Sequence, residues 1–321
     1  MSDSIKIFVG ADRSQRLAVQ ALEHSIKATT SYPLQIESLE KLEIPEPVDV
    51  RQSQRTGFSF ARWAVPELCQ YKGRAIYLDA DMLVFKDIAT LWEVPMQDEA
   101  IAILDGRDSS YCSNAVKLNR NETSVMVINC EKATWRLAEL VKGLDGKYTY
   151  AEMMSDLCFL EEKNIHRGIS RSWNSMDYYD QTTNLVHFTN VPTQPWVSLE
   201  NPFGYIWIDY LKNMLNQNAL SMNEIQKEID LGYVRPSLAV ELGSEICRDP
   251  KSTYAEKLKK IDLKAKYVPH REVEEWNKKR KKAIQGYELS IAKNKGLLFY
   301  LNELMKSYIM EIKMQLKAIL P

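Results

Sequence analysis

The sequence predicts an α/β fold, a sheet flanked by helices, followed by a helical carboxy-terminal extension. Three observations carry this expectation. Ile5-Lys6-Ile7-Phe8-Val9 is a β-rich run closed by Gly10-Ala11-Asp12, and Leu17, Val19, Leu22 and Ile26 then recur at helical spacing. Such a strand–helix unit builds the sheets of nucleotide-binding α/β folds. Arg74-Ala75-Ile76-Tyr77-Leu78 is a short apolar run between turn formers, as a buried strand is. From about residue 222 onward the text is mostly helical.

The other elements follow in order. Leu34-Gln35-Ile36-Glu37-Ser38-Leu39 reads as a second strand, and residues 40–56, with Pro45 and Pro47, as a polar loop. Phe60 to Cys69 has helical spacing until Gly73 breaks it. Ala100–Leu104 and Ser124–Ile128 read as strands, and residues 131–142 and 151–163 as helices. Residues 166–210 are loop-rich and aromatic. Pro236, Gly243 and Pro250 suggest a boundary in the 220–250 region, so the chain divides into residues 1–220 and a basic helical extension, 221–321. Charge switches in the same place: residues 251–321 carry 17 Lys and Arg against 8 Asp and Glu, leaving 25 against 35 in the first 250. The net charge of −1 is therefore a cancellation, a net of +9 against −10, and a basic tail of this kind is suited to an anionic surface.

Composition excludes several classes. With 45% hydrophobic residues, 26% charged, 12 Gly and 12 Pro, the chain is neither disordered nor fibrous. No apolar run reaches the roughly 18–20 residues that span a bilayer. The start, MSDSIKIFVGAD, has no basic region followed by a long apolar core, so no secretory signal is expected. Five cysteines that never sit as C-x-x-C argue against a disulfide framework or a thiolate zinc site and predict a cytoplasmic protein. No G-x-G-x-x-G follows the first strand, which argues against a dinucleotide site. The basic stretch lacks interleaved aromatics and predicts no nucleic-acid partner.

The chemistry concentrates in Ala75-Ile76-Tyr77-Leu78-Asp79-Ala80-Asp81-Met82-Leu83-Val84. Two carboxylates at i and i+2, enclosed by apolar text, are costly unless something neutralises them. In a regular strand they would point the same way and could face one divalent cation, for which oxygen ligands suit Mg²⁺ or Mn²⁺. A polar turn after a strand is the competing explanation. His187, in Leu185-Val186-His187-Phe188-Thr189, is a candidate third ligand. The other histidines, His24, His166 and His270, sit in helical or charged text and read as structural.

At these residues the sequence resembles glycosyltransferase family 8, retaining enzymes of the GT-A fold that include bacterial lipooligosaccharide galactosyltransferases and glycogenin. The resemblance covers roughly residues 5–210 and rests on motifs in the family's order: IFVGAD, GFSFARWAVPEL, YLDADMLV, SVMVIN, Trp173-Asn174 and HFTNVPTQPW. It implies a mixed, mostly parallel sheet flanked by helices. It further implies that Gly10, Asp12 and Ser14 approach the uracil and ribose of a UDP-sugar. Arg62 would contact the donor, as would Ala80 between the two acids. Asp79, Asp81 and His187 would hold Mn²⁺ or Mg²⁺, with Gln194 at the diphosphate. There are departures. Glu122-Thr123-Ser124 stands where the family has Asn-Ala/Ser-Gly, Ser155-Asp156-Leu157 where it has a carboxylate–glutamine pair, and Gln194 where it has a lysine.

The resemblance implies a metal-dependent retaining hexosyltransferase that moves a sugar from a UDP-sugar to a glycan, lipid or protein acceptor. In the front-face mechanism favoured for such enzymes, the leaving phosphate assists deprotonation of the acceptor. Asp105, ending the strand AIAILD, and Asp156 are the carboxylates expected near the sugar or acceptor; for Asp156 a helix-surface acid is the competing reading. The departures support an alternative, a catalytically weakened nucleotide-sugar or glycan-binding module on the same fold. In the tail, Lys278-Lys279-Arg280-Lys281-Lys282 precedes a stripe of Leu298, Leu301, Met305, Tyr308, Ile312, Leu316 and Ile319, with Lys306, Lys313 and Lys317 off it. Packing on the body, self-association, or peripheral contact with the inner face of a membrane would each use such a stripe.

Overall fold

The computed structural model describes residues 4–106, 108, 110–113, 121–302 and 305. Residue 305 aside, the expected tail stripe beyond Leu301 falls outside them, as do Lys306, Lys313 and Lys317. Leu298, Leu301 and Met305 are exposed.

The chain opens with β1 (Ile5–Gly10), α1 (Arg16–Thr29) and β2 (Leu34–Ser38), the strand–helix unit read from the sequence. After α2 (Val65–Leu68) come β3 (Arg74–Asp79), β4 (Met82–Val84), α3 (Ala89–Trp92), β5 (Ile101–Asp105) and β6 (Asn121–Asn129). Next are α4 (Leu137–Gly143), β7 (Ile165–Ile169), β8 (Ser175–Met176) and β9 (Leu185–His187). The remainder is helical: α5 (Gly204–Asn216), α6 (Met222–Asp230), α7 (Ser237–Gly243), α8 (Thr253–Lys264) and α9 (Arg271–Asn294). Six strands form the main sheet in the order β2-β1-β3-β6-β5-β7. β1 pairs parallel with β2 and β3, and β5 with β7, whereas β6 runs antiparallel between β3 and β5. This is the mixed, mostly parallel sheet expected. A small sheet, β4-β9-β8, stands beside it.

The period-two alternation of strand side chains divides the core. From β3, Ala75 and Tyr77 join Phe8, Met126 and Trp63 on one face, while Ile76 and Leu78 join Val9, Val125 and the α1 residues Leu22 and Ile26 on the other. A third cluster locks α5, α6 and α7 to α1 and β9 through Trp196, Trp207, Ile225 and Leu238 against Leu17, Ala18 and Val186. Beneath it, buried Arg235 pairs with Glu241 and donates to the Pro195 carbonyl at 3.1 Å, so its charge is compensated.

Several elements differ from their sequence reading. The helix expected over 131–142 begins only at Leu137, because Trp135 is drawn into an aromatic cluster with Trp63 and Phe159 and donates from Nε1 to the Trp63 carbonyl at 3.0 Å. The helix expected over 151–163 is a single π-turn at Glu152–Asp156. Leu157 ends it in the left-handed conformation (φ 55°, ψ 43°) and is fully buried, so tertiary burial overrides helical propensity there. Within 166–210, the aromatic text hides the start of α5. Asp79 and Asp81 do not share a regular strand: β3 ends at Asp79 and β4 begins at Met82, so they flank a corner at Ala80. The Ala80 amide donates to the Gly10 carbonyl at 3.0 Å and the Phe188 amide to the Asp81 carbonyl at 2.8 Å, tying the corner to both sheets.

Gly10 is fixed by packing. A Cβ there would overlap the Tyr77 hydroxyl and stand 2.7 Å from its ring carbon Cζ. Gly10→Ala should therefore cost about 1–3 kcal/mol, as overpacking does. In a denaturant double-mutant cycle with Tyr77→Ala the two costs should be clearly less than additive; full additivity would contradict this contact.

Candidate functional site

A cleft of about 890 Å³ opens over the ends of β1 and β3 and the small sheet. Strand ends at a change of chain direction are where α/β sheets collect ligand-binding side chains. Three of those that line it, Asp79, Asp81 and His187, offer ligand atoms lying within 4.8 Å of one another, a group able to hold a metal ion. All three are nearly buried. β4 pairs with β9 in a register that sets Met82 opposite His187, which brings the histidine, distant in sequence, back to the acidic corner.

Each of these three candidate ligands has a supporting partner. Arg62 donates from Nη2 to Asp79 Oδ1 at 3.1 Å and from Nη1 to Thr123 Oγ1 at 2.7 Å. The Tyr77 hydroxyl donates to the same Asp79 oxygen at 2.7 Å. Burial pushes the Asp79 carboxyl pKa up, and Arg62 opposes the shift. Burial likewise raises Tyr77 well above the usual phenol value, so it stays a donor. Gln194 Nε2 donates to Asp81 Oδ2 at 2.6 Å and to the Phe188 carbonyl at 3.2 Å.

The state of His187 follows from its neighbour. Asn174 Nδ2 donates to Ser124 Oγ at 2.9 Å, which turns its Oδ1 toward His187 Nδ1, 2.8 Å away. Nδ1 therefore carries the hydrogen, and in the neutral ring the Nε2 lone pair faces Asp81 Oδ1 at 3.1 Å. Asp81 Oδ1 is buried and accepts no hydrogen bond. Two lone pairs then face each other at a buried spot, an arrangement that a cation would satisfy. Burial works against a charged His187, but Asp81 outweighs it and raises the ring pKa, a second sign that positive charge is wanted here.

Of the other residues singled out from sequence, Asp12, Ser14, Arg62 and Gln194 line this cleft. Asp12 Oδ1 accepts from the Ser14 amide at 2.9 Å and its hydroxyl at 2.5 Å. Gly10 and Ala80 lie behind it, the one making room for Tyr77 and the other forming the corner. Asp105 lines a separate cleft of about 240 Å³ with Asp108, Arg167 and Arg171. Asp156 is exposed beside Ser155, which does line the main cleft.

Three functional neighbours escaped the sequence reading. Glu122 is a buried carboxylate in the cleft; the departure at 122–124 marked its position without a role. Asp177 adopts a left-handed backbone (φ 45°) and accepts from Thr189 Oγ1 at 2.5 Å, the Asn190 amide at 3.2 Å and Asn201 Nδ2 at 2.9 Å, bracing the loop after His187. His270, read as structural text, lines the cleft from the carboxy-terminal extension. His166 lies in β7, 3.9 Å from Glu99 and outside the cleft, while His24 meets the Tyr210 hydroxyl at 2.7 Å.

Comparison with known proteins agrees with the sequence resemblance. Residues 7–137 match the model of glycosyl transferase family 8. Protein CDI of Arabidopsis thaliana is 25% identical over 236 residues, 66% of this chain and 88% of that protein. The WbbM bifunctional glycosyltransferase, in its apo structure, superposes with a TM-score of 0.51 at 13% identity, covering 68% of this chain and 51% of that one. The glycosyltransferase GlyE of Streptococcus pneumoniae gives 0.49 at 16%, covering 68% and 65%. This chain thus spans about half the length of WbbM and just under two thirds of GlyE. At 13% identity the WbbM likeness is one of fold, and that fold is GT-A. Family and fold together support a glycosyltransferase.

The Asn174 support has a measurable consequence. Asn174→Leu removes the acceptor that fixes the His187 ring, and calorimetric titration with Mn²⁺ should show affinity weakened about 10–100-fold. An unchanged affinity would exclude this bond as the device that orients the ligand.

Proposed function

Taking residues 7–137 as a family 8 segment on a GT-A sheet, we propose that this protein is a metal-dependent retaining glycosyltransferase that moves a hexose from a UDP-sugar to a carbohydrate-type acceptor. One observation carries the reading: two buried carboxylates and a histidine locked with its Nε2 lone pair inward converge in the main cleft. The donor set of two oxygens and an imidazole nitrogen fits Mn²⁺, or Mg²⁺, with Asp79, Asp81 and His187 as ligands. When bound, such an ion supplies the positive charge that a departing nucleoside diphosphate requires.

The protein's own residues have distinct tasks. Arg62 compensates the charge of Asp79 and holds the carboxylate in place, and the Gln194 amide positions the second acid, Asp81. Asp12 and Ser14 stand at the end of β1, where the nucleoside is expected. Glu122, beside Thr123 and Ser124 in the cleft wall, is the carboxylate we place near the transferred sugar. Asp105 and Asp156 remain in the proposal as acceptor-side carboxylates: Asp156 follows Ser155, which lines the main cleft, and Asp105 pairs across β5 and β6 with Asn121, which lines it too. Retention, hexose and uridine are carried from the family resemblance. No described helix is long and apolar enough to cross a membrane. Peripheral membrane contact or self-association would rest on the basic α9 and the exposed apolar residues after it.

The test is a panel of nucleotide sugars scored for Mn²⁺-dependent hydrolysis or transfer. The wild type should turn over at least one UDP-hexose. Asp79→Ala and Asp81→Ala should each abolish turnover while the thermal unfolding transition persists, and His187→Ala should weaken the metal dependence. Full activity in either aspartate variant would sink the metal assignment; binding without turnover of any donor would favour the binding-module reading.

A further inference from the structure

The carboxy-terminal extension reaches both walls of the cleft. Just before α9, His270 Nε2 donates to the Val191 carbonyl at 2.9 Å, on the wall that runs from Thr189 to Gln194. Farther along α9, the Tyr287 ring stacks under the Arg51 guanidinium, 4.1 Å from ring centre to Cζ, beside the Arg55–Thr56 wall. His270 and Val273 between these anchors line the cleft itself.

The charges leave one task unfilled. A nucleoside diphosphate needs hydrogen-bond donors on its phosphate oxygens besides a metal. Gln194 stands where the sequence resemblance places a diphosphate contact, but both hydrogens of its amide are committed, to Asp81 Oδ2 and to the Phe188 carbonyl. Arg62 spends its charge on Asp79, which Nη2 bonds, while Nη1 bonds Thr123 and the buried Nε has no partner. His270 lines the same cleft as Asp12, at the nucleoside end, and Asp81, at the metal end. Its backbone is left-handed (φ 46°, ψ 41°), a conformation unfavourable for a non-glycine residue and retained where the surroundings enforce it.

We propose that His270 is a donor-binding residue, contacting the diphosphate of the nucleotide sugar from the roof formed by the carboxy-terminal extension. This rests on the reading of the cleft as a nucleotide-sugar site. Nε2 keeps its bond to Val191, and Nδ1 takes up a solvent proton, released by buffer, as the diphosphate arrives, then donates it in a hydrogen bond to a phosphate oxygen. In the free protein burial lowers the ring pKa, outweighing the Val191 bond and the charges of Asp12, Asp81 and Glu274; the incoming phosphate supplies the further negative charge that favours the protonated ring.

The experiment compares UDP with uridine, both titrated by calorimetry with Mn²⁺ present, against the wild type, His270→Gln and His270→Asn. Glutamine can still donate to the Val191 carbonyl, and asparagine suits the left-handed backbone, which guards against a variant that misfolds. Both variants should bind UDP about tenfold more weakly, the effect of losing a hydrogen bond to a charged group, with uridine affinity unchanged within twofold. Wild-type UDP affinity in both variants would overturn the proposal. So would an equal loss for UDP and uridine, which would make His270 only a strut for the Val191 wall. A wild type that binds neither ligand would overturn the nucleotide-sugar reading itself, and is told apart because it shows before any substitution.

Discussion

Two carboxylates buried side by side are the constraint on which this structure turns. Asp79 and Asp81 flank one residue, both nearly excluded from water, and a lone ionised carboxylate in such surroundings costs several kcal/mol. Arg62 compensates one of them. Asp81 has an amide on one oxygen and the lone-pair face of an imidazole before the other. His187, whose ring pKa Asp81 raises, is the group that can carry a second positive charge beside Asp81, and a divalent cation would take the place of its proton.

Much of the fold can be understood as bracing this corner. The register of β1 on β3 sets Gly10 opposite Asp79, and the missing Cβ at Gly10 admits the Tyr77 ring whose hydroxyl holds the carboxylate. The small sheet returns His187 to the acids, and the Asn174–Ser124 bond fixes its ring from the side of β6. Asp177 ties down the loop after His187. The same Arg62 that neutralises Asp79 bonds Thr123, so one side chain joins the acidic corner to the Glu122–Ser124 wall.

The grouping of Asp79, Asp81 and His187 was legible because its signals are local: an acid pair inside apolar text and a histidine following a β-like pair. The strands β1, β2, β3, β5 and β6 were legible for the same reason, as short apolar or alternating runs, whereas β7 lies in a polar stretch, IHRGI, that reads as loop. What stayed hidden depends on distant chain segments. Trp135 abandons its expected helix for Trp63, and Leu157 ends another in order to be buried, neither of which local spacing records. Asn174 was visible as part of a motif, yet its task of fixing the His187 ring appears only when β6 and the segment before β8 meet. His270 precedes a charged helix and reads as ordinary surface text until the extension folds back over the cleft. Asp105 looked like a site residue because it ends a buried strand, but that strand lies away from the corner and delivers it to a neighbouring cleft.

The most direct test of the central claim is anomalous X-ray scattering at the manganese edge from crystals grown with Mn²⁺. A single strong peak should lie between Asp79, Asp81 and His187, within about 2.0–2.3 Å of a carboxylate oxygen from each acid and of His187 Nε2. A peak elsewhere, or none at saturating Mn²⁺, would contradict the account of these buried charges as a metal site.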